Sequence, residues 1–239
     1  LPTKEIKLPF TDKEGNSKYI NIERLFPDGW VFRLLEGHHG ANGYGFIMKN
    51  REKDDFYPTP DYATHTLMKH WGSEVFSSDI HCYSKDVWEP ACGDGAISKL
   101  LKKDYGLRVA STDLVNRGFG KSGVDFLMET KTPAPWIITN PPYKLANQFV
   151  IKCLNLFEED RQFSGFAMLL RLAFLEGQGR HKAIFEKKPP SDVLVFSKRL
   201  TMIRGDHDEA WYGSGKMAFA WFIWCRNSND GTRLKWIND

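Results

Sequence analysis

From residue 56 onward, the sequence alternates between short apolar segments and segments in which apolar residues recur every three or four positions. The first pattern predicts strands and the second predicts helices. Strands are predicted at 86–89, 108–112, 136–139, 165–170, 192–196 and 217–225, and helices at 61–71, 96–105 and 145–157. This alternation predicts a mostly parallel sheet with helices on both faces. In such sheets, ligands bind at the carboxyl ends of the strands.

Residues 1–55 differ from the rest of the chain. They are polar and carry closely spaced glycines, namely Gly37, Gly40, Gly43 and Gly45. We predict an N-terminal extension of short strands and loops, a candidate substrate-contacting element, at 1–55. One α/β domain is predicted to follow it at 56–239.

Basic residues are concentrated in one stretch, although the net charge of the 239 residues is only +3. Residues 180–204 carry seven lysines and arginines but only two acidic residues, Glu186 and Asp192. Such a stretch is either a solvated surface or a phosphate-binding one. The candidates for nucleic-acid phosphate contacts are Lys187, Lys188, Lys198 and Arg199.

The aromatic pair Trp211 and Tyr212 lies in a glycine-punctuated segment between the last two predicted strands. That segment follows a strand on the side where ligands bind. Either ring is a candidate for contact with a nucleic-acid base, and a ring that merely covers the domain surface is an equal alternative.

The four cysteines are scattered, with no CxxC pair and no Cys/His cluster at zinc spacing. We interpret them as reduced thiols and expect no metal site. No apolar run approaches the length of a membrane span, and the N-terminus has no signal-peptide pattern. These features predict a cytoplasmic protein without a membrane partner.

The segment Glu89-Pro90-Ala91-Cys92-Gly93-Asp94-Gly95 joins a predicted strand to a predicted helix. Gly93 and Gly95 allow a tight turn and a close approach of the backbone to a ligand. The carboxyl groups of Glu89 and Asp94 disfavour a phosphate and favour a ligand with a positive amino group. Many tight turns contain such glycines, so this segment alone does not identify the ligand.

Two aspartates follow the next predicted strand. Asp113 can accept hydrogen bonds from both hydroxyls of a ribose, or it can simply cap a turn. Asp125 can accept a hydrogen bond from an adenine amino group while the ring of Phe126 packs on the base. Neither aspartate would be unusual by itself.

The most specific segment is Ile138-Thr139-Asn140-Pro141-Pro142-Tyr143. Its two prolines end the strand and fix the backbone. The side-chain carbonyl of Asn140 and the main-chain carbonyl of Pro141 can together accept both hydrogens of an amino group. This makes the nitrogen lone pair available for attack on an electrophilic methyl group, while Tyr143 offers a ring face to a planar substrate. A rigid turn without catalytic role is the less favoured alternative.

Taken in order, these segments resemble those of the amino-group DNA methyltransferases, over roughly residues 56–225. Phe56-Tyr57-Pro58-Thr59-Pro60 is similar to the family's upstream cofactor segment, and residues 89–95 are similar to its glycine-rich loop. The short length and the Tyr-Pro-Thr-Pro segment are similar to phage-borne adenine methyltransferases. The resemblance implies a Rossmann-like class I fold, with a seven-stranded sheet and an antiparallel last strand. It also implies S-adenosylmethionine as cofactor and a bacterial or phage-infected host cell.

The resemblance further implies the roles of individual residues. Asp113 would bind the cofactor ribose, Asp125 its adenine amino group and Phe126 its ring. Asn140, Pro141, Pro142 and Tyr143 would form the catalytic segment that holds the target base. The other expected cofactor contacts are Tyr57, Thr59, Pro60, Glu89, Ala91, Gly93, Gly95 and, again, Asn140.

The preferred substrate is the 6-amino group of adenine in DNA, reached by flipping the base out of the duplex. Asn-Pro-Pro-Tyr is shared with RNA adenine methyltransferases and with glutamine methyltransferases of release factors, so RNA and a protein amide stay alternatives. A non-catalytic nucleic-acid-binding subunit is a third alternative, which the intact motifs disfavour. The target-recognition domain usual for this motif order is missing, which predicts short or relaxed sequence specificity.

Overall fold

The computed structural model describes residues 56–72, 75–76, 85–202, 217–228 and 231–238 in full, and only four strands before them. The chain divides into two units, Leu1–Lys53 and Asp54–Asp239. In the first unit, β1 (Lys7–Thr11) pairs antiparallel with β2 (Ser17–Asn21), and β3 (Val31–Phe32) with β4 (Ile47–Met48). That residues 1–55 contact the substrate stays a prediction.

The second unit is built on a seven-stranded sheet. Its strands are β5 (Asp86–Glu89), β6 (Arg108–Ser111), β7 (Trp136–Thr139), β8 (Gly165–Arg171), β9 (Asp192–Phe196), β10 (Phe219–Cys225) and β11 (Arg233–Ile237). Their order across the sheet is β11-β9-β10-β8-β7-β5-β6. Strand β10 is antiparallel to both of its neighbours, and the other pairs are parallel. The predicted fold class is therefore confirmed, with β10 as its antiparallel strand.

Helices cover both faces of this sheet. They are α1 (Asp61–Leu67, continued by a π-helical turn, Met68–Gly72), α2 (Ala96–Tyr105), α3 (Ala146–Glu159) and α4 (Gln178–Arg180, continued by His181–Phe185). Because side chains alternate along a strand, Phe166 and Met168 of β8 pack with α3 in one core, and Ala167 and Leu169 pack with α1 and α2 in the other. Both faces of the central strands are therefore buried, as expected for parallel strands between helix layers.

The strand β11 lies in the polar segment 226–239, which follows the last strand that the sequence predicts. It adds to the edge of the sheet, parallel to β9. The guanidinium of Arg233 forms two hydrogen bonds, of 2.8 and 2.9 Å, with the carboxylate of Asp192, which is 1% exposed. A buried carboxylate requires such a partner, and the pair anchors β11 where the hydrophobic pattern is weak.

The carboxyl ends of β5, β6, β7 and β8 lie at one edge of the sheet because these strands are parallel. Glu89 ends β5, Asp113 follows β6 and Asn140 follows β7. Strand β8 extends further than β7 at this edge. Met168 of β8 pairs with Thr139, the last residue of β7, and β8 then continues to Arg171. The fold thus collects the predicted chemistry at a single edge.

Arg226 closes the carboxyl end of α3 by donating hydrogen bonds to the carbonyls of Phe157, Asp160 and Phe163. Carbonyls at the end of a helix lack helical partners. We expect Arg226→Ala to lower the free energy of unfolding by about 2–4 kcal/mol, measured by urea denaturation. Arg226→Lys keeps the charge but not the fork of donors and should restore only part of the loss. A loss within about 0.5 kcal/mol, typical of a surface residue, would contradict this role.

Candidate active site

A cavity of about 350 Å³ opens where the loops after β5, β6 and β7 meet. Ten of the predicted cofactor and catalytic residues line it, namely Tyr57, Thr59, Glu89, Ala91, Gly93, Asp113, Asp125, Phe126, Asn140 and Pro142. Four others do not line it: Pro60, Gly95, Pro141 and Tyr143. Pro60 and Gly95 precede α1 and α2, respectively, as their N-caps.

Both glycines of the loop after β5 have a positive φ, +55° at Gly93 and +86° at Gly95. A Cβ at Gly93 would lie 2.6 Å from the ring of Phe56, and one at Gly95 would lie 2.4 Å from the ring of Phe119. Rings of the protein itself therefore already require glycine at both positions, and the close approach of a ligand to this loop stays a prediction. The ring of Phe56 also stacks with the guanidinium of Arg117, 4.2 Å from its centroid.

The carboxylate of Asp113 ties the glycine loop to the turn after β6. One oxygen accepts a hydrogen bond from the Gly93 amide and the other accepts one from the Val115 amide, both at 2.8 Å. Each carboxylate oxygen has a further lone pair, so these bonds leave capacity for ribose hydroxyls. The ribose contact stays a prediction, and the loop-bracing role was not foreseen.

Glu89 is a buried carboxyl group in the wall of the cavity, with 2% of its surface exposed. It accepts a hydrogen bond from the Ser98 hydroxyl, which in turn lies 2.7 Å from the Ser111 hydroxyl. Burial raises the pKa of Glu89 to about 8, because the ionised form loses its hydration. The carboxyl group is therefore mostly protonated at neutral pH, and a cationic ligand in the cavity would favour its ionisation.

Asp125 and Phe126 reach the cavity from a short 3₁₀ turn, Phe126–Met128. Asp125 is exposed and caps this turn by accepting a hydrogen bond from the Leu127 amide at 3.0 Å. Phe126 is 2% exposed, and its ring packs on Phe149, with centroids 4.7 Å apart. Most of the Phe126 ring belongs to the core, and its contact with a cofactor ring stays a prediction.

The side-chain amide of Asn140 has a defined orientation. Its nitrogen, Nδ2, donates to the carbonyl of Tyr57 at 3.3 Å and to the hydroxyl of Thr59 at 3.1 Å. Because the Tyr57 carbonyl can only accept, Nδ2 and not Oδ1 must face it. The other atom, Oδ1, is buried and has no hydrogen-bond partner among the residues that the structure describes. The cavity wall thus holds an acceptor that lacks a donor.

Tyr143 lies beside Asn140 in an aromatic cluster. Its ring stacks on that of Tyr57, with centroids 5.6 Å apart and planes at 27°, and it is 5.6 Å from the ring of Phe219. The guanidinium carbon of Arg171 lies 4.9 Å from the Tyr143 centroid. Phe219 and Arg171 belong to β10 and β8, and no local motif marks either as a site residue.

Strand β9 divides the basic stretch 180–204 into two parts, one at the amino ends of the parallel strands and one at their carboxyl ends. Lys187 and Lys188 precede β9 and lie at the edge opposite Asn140, where the Lys188 ammonium donates to the Arg226 carbonyl at 2.9 Å. Lys198 and Arg199 follow β9 at the same edge as Asn140 and are exposed. These four residues therefore do not form one surface. Trp211 and Tyr212 lie outside the described residues.

The described part of the chain contains no group of three or more His, Cys, Asp or Glu side chains placed to hold a metal ion. No helix in that part combines the length and the apolar composition needed to cross a membrane.

No protein-family model matches the chain, and a search of curated sequences returns no match. Among solved structures, it is similar to the methyltransferase subunit of a type I restriction-modification system from Streptococcus thermophilus. The identity is 13% and the TM-score 0.50, over 73% of this chain and 46% of that one. The chain has the class I methyltransferase fold. The present chain covers less than half of the length of the restriction-modification subunit.

Two other similar structures also carry methyltransferase domains. One is a human protein containing a methyltransferase 10 domain, with 10% identity and a TM-score of 0.47, over 70% of this chain and 83% of that one. The other is an S-adenosylmethionine-dependent methyltransferase from Agrobacterium tumefaciens, with 12% identity and a TM-score of 0.42, over 89% and 82%.

Proposed function

We propose that the protein transfers a methyl group from S-adenosylmethionine to the 6-amino group of adenine in DNA. The observation that carries this proposal is Asn140, whose amide is held by Tyr57 and Thr59 while its Oδ1 is buried without a described partner. Leaving a buried acceptor unpaired costs about 1–3 kcal/mol. A substrate amino group that donates a hydrogen bond to Oδ1 would remove this cost.

The cavity suits the cofactor. Its wall contains four carboxyl side chains, Glu89, Asp94, Asp113 and Asp125, against two basic ones, Arg117 and Lys144. S-adenosylmethionine carries a positive sulfonium and a positive ammonium, and it supplies an electrophilic methyl group when bound. The three aspartate side chains favour such a cation, and Phe126 and Phe149 provide apolar surface for its adenine.

Asn140 would act on the target amino group by electrostatic preorganisation. Oδ1 accepts one of its hydrogens, which orients the nitrogen lone pair and stabilises the positive charge that develops on nitrogen as the new bond forms. The amide needs no rearrangement during the reaction, since Tyr57 and Thr59 already hold it. The sulfur–methyl bond breaks as the nitrogen–methyl bond forms, which leaves S-adenosylhomocysteine, and the methylated nitrogen then loses its proton to water, so no strong general base is required.

A nucleic-acid base fits the residues around Asn140 better than a protein amide does. Tyr143 offers an aromatic ring beside Asn140, and rings stack on bases with a gain of about 1–3 kcal/mol per base. The exposed Lys198 and Arg199 lie at the same edge of the sheet and could contact phosphates. A base within a duplex would have to be flipped out to reach Asn140.

The test is to incubate the protein with methyl-labelled cofactor and, separately, with DNA, RNA and a glutamine-containing peptide. We expect N6-methyladenine from DNA, detected by mass spectrometry of nucleosides. Methyl label found only in RNA would mean that the substrate is RNA instead of DNA. Label found only in the peptide would overturn the proposed function. The Asn140→Ala variant, incubated in parallel, controls for a contaminating methyltransferase.

The proposed sequence specificity is short or relaxed, because few described elements at this edge could read bases in a groove. Sequencing of a treated genome should reveal methylated adenines in many sequence contexts. Methylation confined to one long defined motif would contradict this part of the proposal and leave the chemistry standing.

Asp113 provides a separate test of the cofactor site. We expect Asp113→Ala to raise the dissociation constant for S-adenosylmethionine about tenfold or more, because it removes the predicted ribose acceptor and the brace of the Gly93 loop. Calorimetry measures the affinity. Asp113→Asn keeps one acceptor oxygen and should lose less. If both variants bind S-adenosylmethionine as tightly as the unchanged protein, Asp113 only stabilises the turn and does not bind the cofactor.

A further inference from the structure

Arg171 is the last residue of β8, beyond the level at which β7 ends. Its guanidinium lies over the ring of Tyr143 at 4.9 Å, and its backbone is paired with Phe219 of β10. It therefore stands beside Tyr143, which the proposed function assigns to the target base. It is not part of the cavity wall, so it is not placed to bind the cofactor's carboxylate.

The guanidinium of Arg171 is only partly satisfied within the described part of the chain. Its Nε is buried without a hydrogen-bond partner, and the side chain forms no ion pair with any residue that the structure describes. Other partly buried arginines are satisfied, as Arg226 is by three carbonyls. Burying a guanidinium nitrogen without a hydrogen bond is unfavourable, and an anion bound at Arg171 would offset this cost.

A purely structural role, packing against Tyr143, would not require a charge. Methionine or leucine would cover an aromatic ring without the cost of desolvation. The planar fork of arginine matches a phosphate group, which it can bind by two parallel hydrogen bonds. Lys198 and Arg199, which are exposed at the same edge, suit the same polyanion.

We propose that Arg171 binds a backbone phosphate next to the target nucleotide and so selects a nucleic acid over a peptide amide. This inference rests on the proposed methyl transfer to adenine. Arg171 is a positioning residue: it holds the phosphate while its side chain supports Tyr143, and it takes no part in the bond changes at nitrogen.

The first test compares Arg171→Met with the unchanged protein in steady-state methylation of an oligonucleotide. We expect the KM for DNA to rise about tenfold or more, with the affinity for S-adenosylmethionine unchanged. Arg171→Lys keeps a point charge and should recover part of the loss. A loss of cofactor affinity as large as the loss for DNA would overturn the assignment.

The second test uses oligonucleotides in which a single phosphate near the target adenine is replaced by a neutral methylphosphonate. For the unchanged protein, we expect one position at which the substitution raises KM about tenfold. In Arg171→Met, the same substitution should have no further effect, because the partner of that phosphate is already gone.

Equal penalties in both proteins at every position, or no penalty in the unchanged protein, would overturn the phosphate contact while the methylation itself stands. If the unchanged protein methylates no adenine in any nucleic acid, the proposed function fails, and the role of Arg171 fails with it. The two failures are thus distinguished by the product of the unchanged protein alone.

Discussion

Asn140→Ala should reduce turnover by about a hundred- to a thousandfold, the usual cost of removing one preorganised group from a charge-stabilising site. The truncation removes Oδ1, the buried acceptor left without a described partner. Because the proposed function places this atom at the target amino group, the affinity for S-adenosylmethionine should change much less than turnover. Single-turnover methylation with labelled cofactor measures the first quantity, and calorimetry measures the second.

Two further variants test whether the orientation of the Asn140 amide matters for turnover. In Asn140→Asp, an oxygen would face the Tyr57 carbonyl that now accepts from Nδ2, so repulsion should misorient the side chain and turnover should again fall strongly. Thr59→Val removes only one of the two hydrogen bonds that hold the amide and should cost about tenfold. Near-normal turnover in Asn140→Ala would remove the basis of the proposed function.

Glu89→Gln should make the protein more stable than the unchanged chain at alkaline pH. Burial raises the pKa of Glu89 from 4.5 to about 8, so between these values the folded protein binds a proton that the unfolded chain has released. Stability contributed by this group therefore falls as pH rises from 4.5 to 8. The cost above pH 8 is roughly 3–5 kcal/mol, and glutamine, which does not titrate, should avoid it.

The measurement is urea denaturation of both proteins at several pH values. Their difference in unfolding free energy should be small near pH 4.5 and largest at about pH 8 and above, because all other groups titrate alike in both. Glutamine can still accept the hydrogen bond from Ser98, so this contact is preserved. If the difference in unfolding free energy between the two proteins does not vary with pH, then the pKa of Glu89 is not raised in the folded protein.

The neighbourhood of the cavity could be predicted because it depends on local sequence and on one rule of parallel sheets. Apolar strands followed by Glu89, Asp113 and Asn140 can be recognised individually, and parallel strands bring their carboxyl ends to one edge. The same rule separates Lys187 and Lys188 from Lys198, because β9 lies between them and carries the chain from one edge to the other, while their phosphate contacts stay a prediction. Proximity in sequence is not proximity across a strand.

By itself the sequence determined the α/β class, the order of the segments and the position of Asn140 at the end of a strand stopped by prolines, since strand periodicity and proline stops are local properties. Only the tertiary structure decided which way the Asn140 amide points, because Tyr57 and Thr59 lie about eighty residues away in sequence. The same holds for Arg171 over Tyr143 and for the edge strand β11. Such contacts join residues with no shared periodicity, and their free energy exists only once the sheet has brought them together.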